Sequence, residues 1–291
     1  MKNIVPRVAA IHDISGFGRC ALTVIMPVLS TMGMQVCPVP TAVLSTHTGG
    51  FSDFSFHDLT DTMTGYIDHW KGLGLKFDCI YSGFLGSEHQ IDIVKDFIRD
   101  FKTRENQLLV VDPVMADDGE LYETYTPAMK KKMAFLVQKA DIITPNLTEA
   151  YFLLDENYVE EPMNENAMKN MLKRLSDMGP KIVVITGVSG EDGRNYNIGY
   201  DKVAGICWKV GYERIPISYP GTGDIFTSVL IGGLLMGDNL PMAIDRATQF
   251  VSLAVRITYG YRTAEREGVI LEKVLGWLNN KLMHCSYEVI E

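Results

Sequence analysis

Six short runs rich in β-branched residues, RVAAIH, QVCPVP, DCIYSG, LLVVD, ADIIT and KIVVIT, recur along the chain with longer amphipathic stretches between them. Runs this apolar read as strands buried on both faces. Stretches such as 88–101 and 166–178 carry apolar residues at helical spacing and read as covering helices. Strands that alternate with helices form βαβ units, and their crossovers demand a mainly parallel sheet with helices on both sides.

After KIVVIT the alternation stops. GRNYNIGY, AGICWKV and the segment reaching Pro216 read as consecutive strands joined by turns, an antiparallel edge to the sheet. Three helices are expected to finish the chain. No linker, repeat or low-complexity stretch interrupts residues 1–291, so a single domain is expected, and 46% hydrophobic residues suffice for its core.

Composition narrows the partners. A formal net charge of −9 disfavours a nucleic-acid groove or an anionic membrane surface, and an anionic ligand would have to be met locally. The 5 cysteines are odd in number and lack a CxxC pair, which suggests neither a disulfide framework nor a zinc site. MKNIVPRVAAIHD places an Arg and a Pro where a signal peptide needs its apolar stretch. The longest apolar run, 225–237, is shorter than the roughly 20 residues that cross a bilayer. A cytoplasmic protein is expected.

Open α/β sheets bind ligands beyond the carboxyl ends of their strands. In the first such loop, HDISGFGRCAL, Gly16, Gly18 and Ala21 match a dinucleotide fingerprint. That motif also needs an acid about 20 residues on for the ribose, or a basic group for a 2′-phosphate. From Ile14 to Ser52 there is no Asp or Glu, and Arg19 is the only Lys or Arg. The sequence therefore argues against NAD(P).

The same neutral stretch ends in LSTHTGGF, where Ser45, Thr46, His47 and Thr48 precede two glycines. With Ser15 they offer hydroxyl and imidazole groups to a small polar ligand, or simply cap turns and helices. VVDPVMADDG supplies Asp112, Asp117 and Asp118, IITPNLTEA supplies Asn146 and Glu149, and VVITGVSG supplies Thr186 and Gly187. Carboxylates among hydroxyl and amide groups suit Mg²⁺ bridging to phosphate. Asn146 with Glu149 equally fits a capping box.

No GxxxxGK[ST] is present to cradle a phosphate. SYPGTGDIF, from Ser218 to Phe226, offers another means: two glycines permit close backbone approach, and a helix starting near Asp224 turns unpaired N–H groups and a positive dipole end toward an anion. A carboxylate there would repel phosphate as a ligand, yet it suits a base that takes the proton of an attacking hydroxyl. The structural alternative is an acid that stabilises its own helix start.

Taken together, SGFGR, SxHTG, DPVM, TPNxxE, VVITG and PGTGD resemble the ribokinase-like superfamily, and within it the pyridoxal kinases, over nearly the whole chain and in order. The resemblance implies a three-layer α/β/α fold and ATP-dependent phosphorylation of the 5′-hydroxymethyl group of pyridoxal, pyridoxine or pyridoxamine. It makes Asp224 the base and the backbone of Gly221, Thr222 and Gly223 the anion hole. It assigns Ser15, His47 and Thr48 to the vitamin, Asp117, Thr144 and Glu149 to the Mg–ATP phosphates with Asp117 and Glu149 on the metal, and Thr186 and Gly187 to the nucleotide. Tyr122 would belong to a flap over ATP. It further implies a homodimer and leaves a role for a monovalent cation open.

Two departures matter. Pyridoxal kinases characteristically read Gly-Asp where this chain reads Ala116-Asp117. Hydroxymethylpyrimidine (phosphate) kinases, the nearest alternative, usually carry Cys where this chain has Asp224. A non-catalytic nucleotide sensor is the third reading.

Overall fold

The computed structural model describes residues 4–280 and 285–291. Strand β1 (Arg7–Phe17) leads to α1 (Leu22–Thr31), β2 (Gln35–Thr46), the short β3 (Phe56–Asp58), α2 (Thr60–Gly72), β4 (Cys79–Ser82), α3 (Glu88–Phe101) and β5 (Leu108–Val111). A small hairpin, β6 (Ala116–Asp117) and β7 (Glu120–Leu121), precedes α4 (Pro127–Lys139), β8 (Ile142–Ile143), α5 (Leu147–Leu153), α6 (Glu165–Asp177) and β9 (Ile182–Ser189). Then come β10 (Asn195–Asp201), β11 (Ile206–Tyr212), α7 (Thr222–Met236), α8 (Leu240–Tyr261) and β12 (Tyr287–Ile290).

The main sheet runs β12-β11-β10-β9-β8-β5-β4-β1-β2-β3. Its six central strands, β9 to β2 in that order, are parallel. β3 at one end and β10 to β12 at the other are antiparallel. Alternating side chains of β1 feed two cores: Ala9 and Ile11 pack with α2 to α6 on one side, Val8 and Ala10 with α1, α7 and α8 on the other. The result is the three-layer α/β/α fold that the alternation implies.

Local chemistry explains the covering helices. Ser87 caps α3 by accepting the Gln90 N–H, and the helix buries Ile91, Val94, Ile98 and Phe101 along one stripe. Asn239 caps α8 in the same way, with Pro241 in its first turn. Helix α7 differs, because Ile225 to Gly233 are all buried as it passes between the sheet and its neighbours.

Three expectations need correction. β1 does not end before SGF but continues to Phe17, pairing Ser15 with Leu44 and Phe17 with Thr46, and β2 runs on through Thr46. The stretch read as a glycine-rich loop is largely strand. The segment reaching Pro216 forms no strand; it turns tightly, with the Ile217 N–H donating to the Ile215 carbonyl. The last antiparallel strand is instead β12, which pairs with β11 from the other end of the chain. Finally, two α-helices rather than three follow β11 among the described residues, succeeded by short 3₁₀ turns at Glu265–Glu267, Leu271–Lys273 and Leu275–Asn279.

Candidate active site

Strand β1 connects to β2 on one side and has β4 on the other, so the topology reverses at the carboxyl ends of β1 and β4. Open α/β sheets bind ligands at such a switch point. A cleft of about 1590 Å³ lies beside it, along the ends of β5, β8 and β9 and the start of α7. Small-molecule pockets usually measure roughly 300–1,000 Å³, so this one has room for two ligands side by side.

α7 starts at the cleft. Gly221 is its N-cap, in left-handed backbone with φ of 79°, and no side chain caps the helix. The hydroxyl of Thr222 donates to the Tyr219 carbonyl, which turns it away from its own helix end. The first N–H groups therefore face the cleft with their dipole, as an anion site needs. A Cβ on Gly223 would meet nothing within 4 Å, so that side of the helix end is open to a ligand.

Asp224 stands beside these amides. Its Oδ2 accepts the Ala21 N–H at 2.8 Å, which ties α7 to the segment that starts α1. Its side chain is only 16% exposed. Burial is the main reason that its carboxyl is pushed up to about 7, with the charge of nearby Asp13 adding to it and the Ala21 N–H opposing it. A carboxylate near half-ionisation at neutral pH is suited to accept a proton and release it again.

More carboxylates surround it. Asp112, just past β5, is buried, and burial together with the charge of Asp224 holds its proton to well above the usual range. The hydroxyl of Thr227 joins Asp112 at 3.4 Å and Thr144 at 3.0 Å, so Thr144 stands on the cleft wall in a network with Asp112. Glu149 closes a capping box with Asn146; one of its oxygens accepts the Asn146 N–H and the other the Met115 N–H. The capping reading of the Asn146–Glu149 spacing is the one observed, and both residues line the cleft.

Asp117 lies exposed in β6, within the hairpin that carries Tyr122 over the cleft. Partial desolvation of the carboxylate against the cleft wall and the charge of neighbouring Asp118 raise its carboxyl. Thr186 and Gly187 also line the cleft, although they lie inside β9 and not beyond it. Gly187 takes a left-handed φ of 77° and its N–H donates to Asn197.

The residues assigned to a ring substrate are placed differently. Ser15 is fully buried, donates to Asp13 at 3.2 Å and does not line the cleft. His47 has both nitrogens engaged: Nε2 meets the Arg266 carbonyl at 2.7 Å and Nδ1 accepts the Gly49 N–H. Phe51 packs edge-on against its ring and lies under Arg266, so the loop after β2 is locked to the strap at 264–268. Thr48 is exposed on that loop, next to Gly49 and Gly50 on the cleft rim. Sequence reasoning missed His12, Asp13 and Thr227. An adjacent pair of titratable residues directly after the apolar run of β1, at 12 and 13, was the available signal for the first two.

Residues 12–269 match the family model described as phosphomethylpyrimidine kinase. The chain belongs to the phosphomethylpyrimidine kinase family. It is 50% identical, with a TM-score of 0.95, to a solved Bacteroides thetaiotaomicron candidate member of this family, covering 100% of this chain and 99% of that one. A second crystal form of that protein contains pyridoxal. Pyridoxal kinase from Lactobacillus plantarum is 32% identical over 95% of this chain and 97% of its own, with a TM-score of 0.85. Hydroxymethylpyrimidine/phosphomethylpyrimidine kinase of Mycobacterium tuberculosis is 27% identical over 87% of this chain and 90% of its own. Membership in this ribokinase-like family, shared with the pyridoxal kinases, makes the chain a kinase of a family that uses ATP with Mg²⁺ on a vitamin B6 or pyrimidine alcohol. No helix among the described residues is long and apolar enough to cross a membrane. All five cysteines are free.

Proposed function

We propose that the chain transfers the γ-phosphoryl group of Mg–ATP to the 5′-hydroxymethyl group of pyridoxal, pyridoxine or pyridoxamine. The observation that carries the reading is Asp224: a carboxylate raised to about 7 beside the uncapped start of α7. It takes the hydroxyl proton as the substrate oxygen attacks the γ-phosphorus and the bond to ADP breaks. The backbone of Gly221, Thr222 and Gly223 holds the phosphate charge without adding side-chain cations.

The remaining parts follow the cleft. Thr186 and Gly187 receive the nucleotide and Thr144 its phosphates, under the hairpin bearing Tyr122. Among the described residues no three His, Cys, Asp or Glu side chains gather as a metal cluster. That fits Mg²⁺, which takes one or two carboxylates and completes its shell with phosphate and water. Asp117 is an exposed carboxylate available to it, and Glu149, with both oxygens already accepting N–H groups, would act through water. Ser15, buried and bonded to Asp13, and Thr48, exposed beside Gly49 on the rim, are assigned to the ring, and His47 holds the rim loop in place. A homodimer in the cytoplasm belongs to the same reading, and light scattering reads out the dimer.

Two observations favour the B6 vitamers: a carboxylate stands at position 224, and the half-identical Bacteroides protein was crystallised with pyridoxal. The matched family model and the mycobacterial relative favour hydroxymethylpyrimidine or its phosphate as the alternative acceptor. An ADP-release assay over pyridoxal, pyridoxine, pyridoxamine and hydroxymethylpyrimidine decides between them. The expected result is turnover highest with a B6 vitamer; exclusive use of the pyrimidine would overturn the assignment.

The pH dependence has a definite sign. The base works deprotonated, so kcat/KM should rise with pH through a midpoint near 7 and level off above it. Measuring several acceptors separates this limb from their own ionisation. A limb common to all of them does not come from the acceptor.

A further inference from the structure

His12 lies in β1 on the face turned toward α1 and α7, against Tyr81 and near Asp224. It is fully buried, and neither of its ring nitrogens has a hydrogen-bond partner. Buried polar groups are nearly always paired, so an unpaired imidazole at a ligand site needs a reason. Its Nδ1 lies 3.8 Å from Oδ1 of Asp224, the oxygen that the Ala21 N–H leaves free. That separation is just too long for a hydrogen bond and short enough for a small side-chain rotation to close.

The ring is held in place for this contact. Tyr81 meets it edge-on at 4.3 Å between centroids. Gly83 backs it so closely that a Cβ there would fall 2.0 Å from Cε1 and 2.4 Å from Nδ1. Residue 83 can thus carry no side chain while His12 keeps this position. Burial lowers the imidazole to about 3, so the ring stays neutral and donates from only one nitrogen.

We propose that His12 is a positioning residue for Asp224: in its neutral Nδ1–H tautomer it donates to Oδ1 as ligands fill the cleft, fixing the carboxylate's orientation and favouring its ionised form. The inference rests on the reading of Asp224 as the base. Other groups also bear on that carboxylate. Asp13 of β1 opposes its ionisation and the Ala21 N–H favours it. Cys20 and Tyr81 are kept protonated by burial and by the charge of Asp224. Asp112 past β5 responds to Asp224 in the same way, and Thr227 of α7 stands with Asp112. Of the two unpartnered donors among these, His12 and Tyr81, it is His12 whose nitrogen stands 3.8 Å from Oδ1.

The test compares pH profiles of kcat/KM for the parent, His12→Phe and His12→Gln. Phe keeps a ring against Tyr81 and has no N–H. Its limb should move up by about one pH unit, which is roughly a tenfold loss below the limb that is recovered above it, with KM for ATP unchanged. Gln can donate and should restore at least half of that shift. A folded His12→Phe with the parental midpoint overturns the proposal, even if it melts lower. Should Phe prevent folding, ¹⁵N NMR of the parent decides: a proton on Nδ1 of the buried, non-titrating histidine supports the donor role, and a proton on Nε2 refutes it. Asp224→Asn keeps the two readings apart. If that variant is inactive while His12→Phe behaves as the parent, the base stands and the positioning role falls; if Asp224→Asn still turns over, the base assignment itself falls.

Discussion

Asp224→Asn should lower kcat by about 10²–10⁴-fold while leaving ATP affinity nearly intact, because it removes the proton acceptor and keeps the helix-start amides. Asn can still accept the Ala21 N–H that Oδ2 accepts now, so the link between α7 and the start of α1 survives. Stability gives an independent check with a defined sign. The folded-state carboxyl is raised to about 7, above its ordinary value in the unfolded chain, so the native state binds the extra proton between those values. Stability supplied by this group is therefore present at low pH and is lost as pH rises through that window. Asn carries no such penalty, and the variant's Tm relative to the parent should be higher at pH 8 than at pH 5. A normally melting variant that turns over within about threefold of the parent would defeat the assignment of the base.

Gly221→Ala should damage fold and catalysis together. The residue sits at φ of 79°, and an added Cβ would lie 2.2 Å from the Arg19 carbonyl oxygen and 2.9 Å from the Cys20 Cα. These are backbone atoms, so relief requires moving the 19–21 segment, which also holds Asp224 through the Ala21 N–H. The strain should cost about 1–3 kcal/mol in stability. Displacing the amides and the base should lower kcat by at least about 10²-fold, measured alongside a melting curve. Gly223→Ala is the matched control. Its Cβ meets no protein atom within 4 Å, so it should fold as well as the parent. Any loss should appear as a higher KM for ATP, because the methyl group then occupies ligand space. If both variants behave alike, the helix start is a structural cap and not the phosphate site.

Much of this was legible along the chain because it is written in local chemistry. The apolar runs predicted each central strand, since a strand covered on both faces can hardly carry anything else; the stripe from Glu88 to Phe101 matches α3 residue for residue. The Asn146–Glu149 spacing matches the observed capping box, as both partners lie within one helical turn. PGTGD placed the start of α7, because glycine in left-handed backbone followed by an apolar run leaves few other conformations. The errors arose where partners are distant. Two glycines made SGFG look like a loop, but pairing of Ser15 with Leu44 and Phe17 with Thr46 extends the strand through it. The four residues of β12 have no local mark, and only their ladder with β11 makes them a strand.

By itself the sequence determined the layers, the order of the elements and the start of α7 at PGTGD, because periodicity, capping and glycine's backbone freedom act over a few residues. The tertiary structure alone decided what Asp224 is. Its carboxyl is raised to about 7 by burial, with Asp13 inside β1 adding to it, and His12 comes within 3.8 Å of it from 212 positions away in the chain. Proton affinity is set by the surrounding dielectric and by neighbouring charges, and a buried ring becomes a neighbour only once the sheet and α7 have packed.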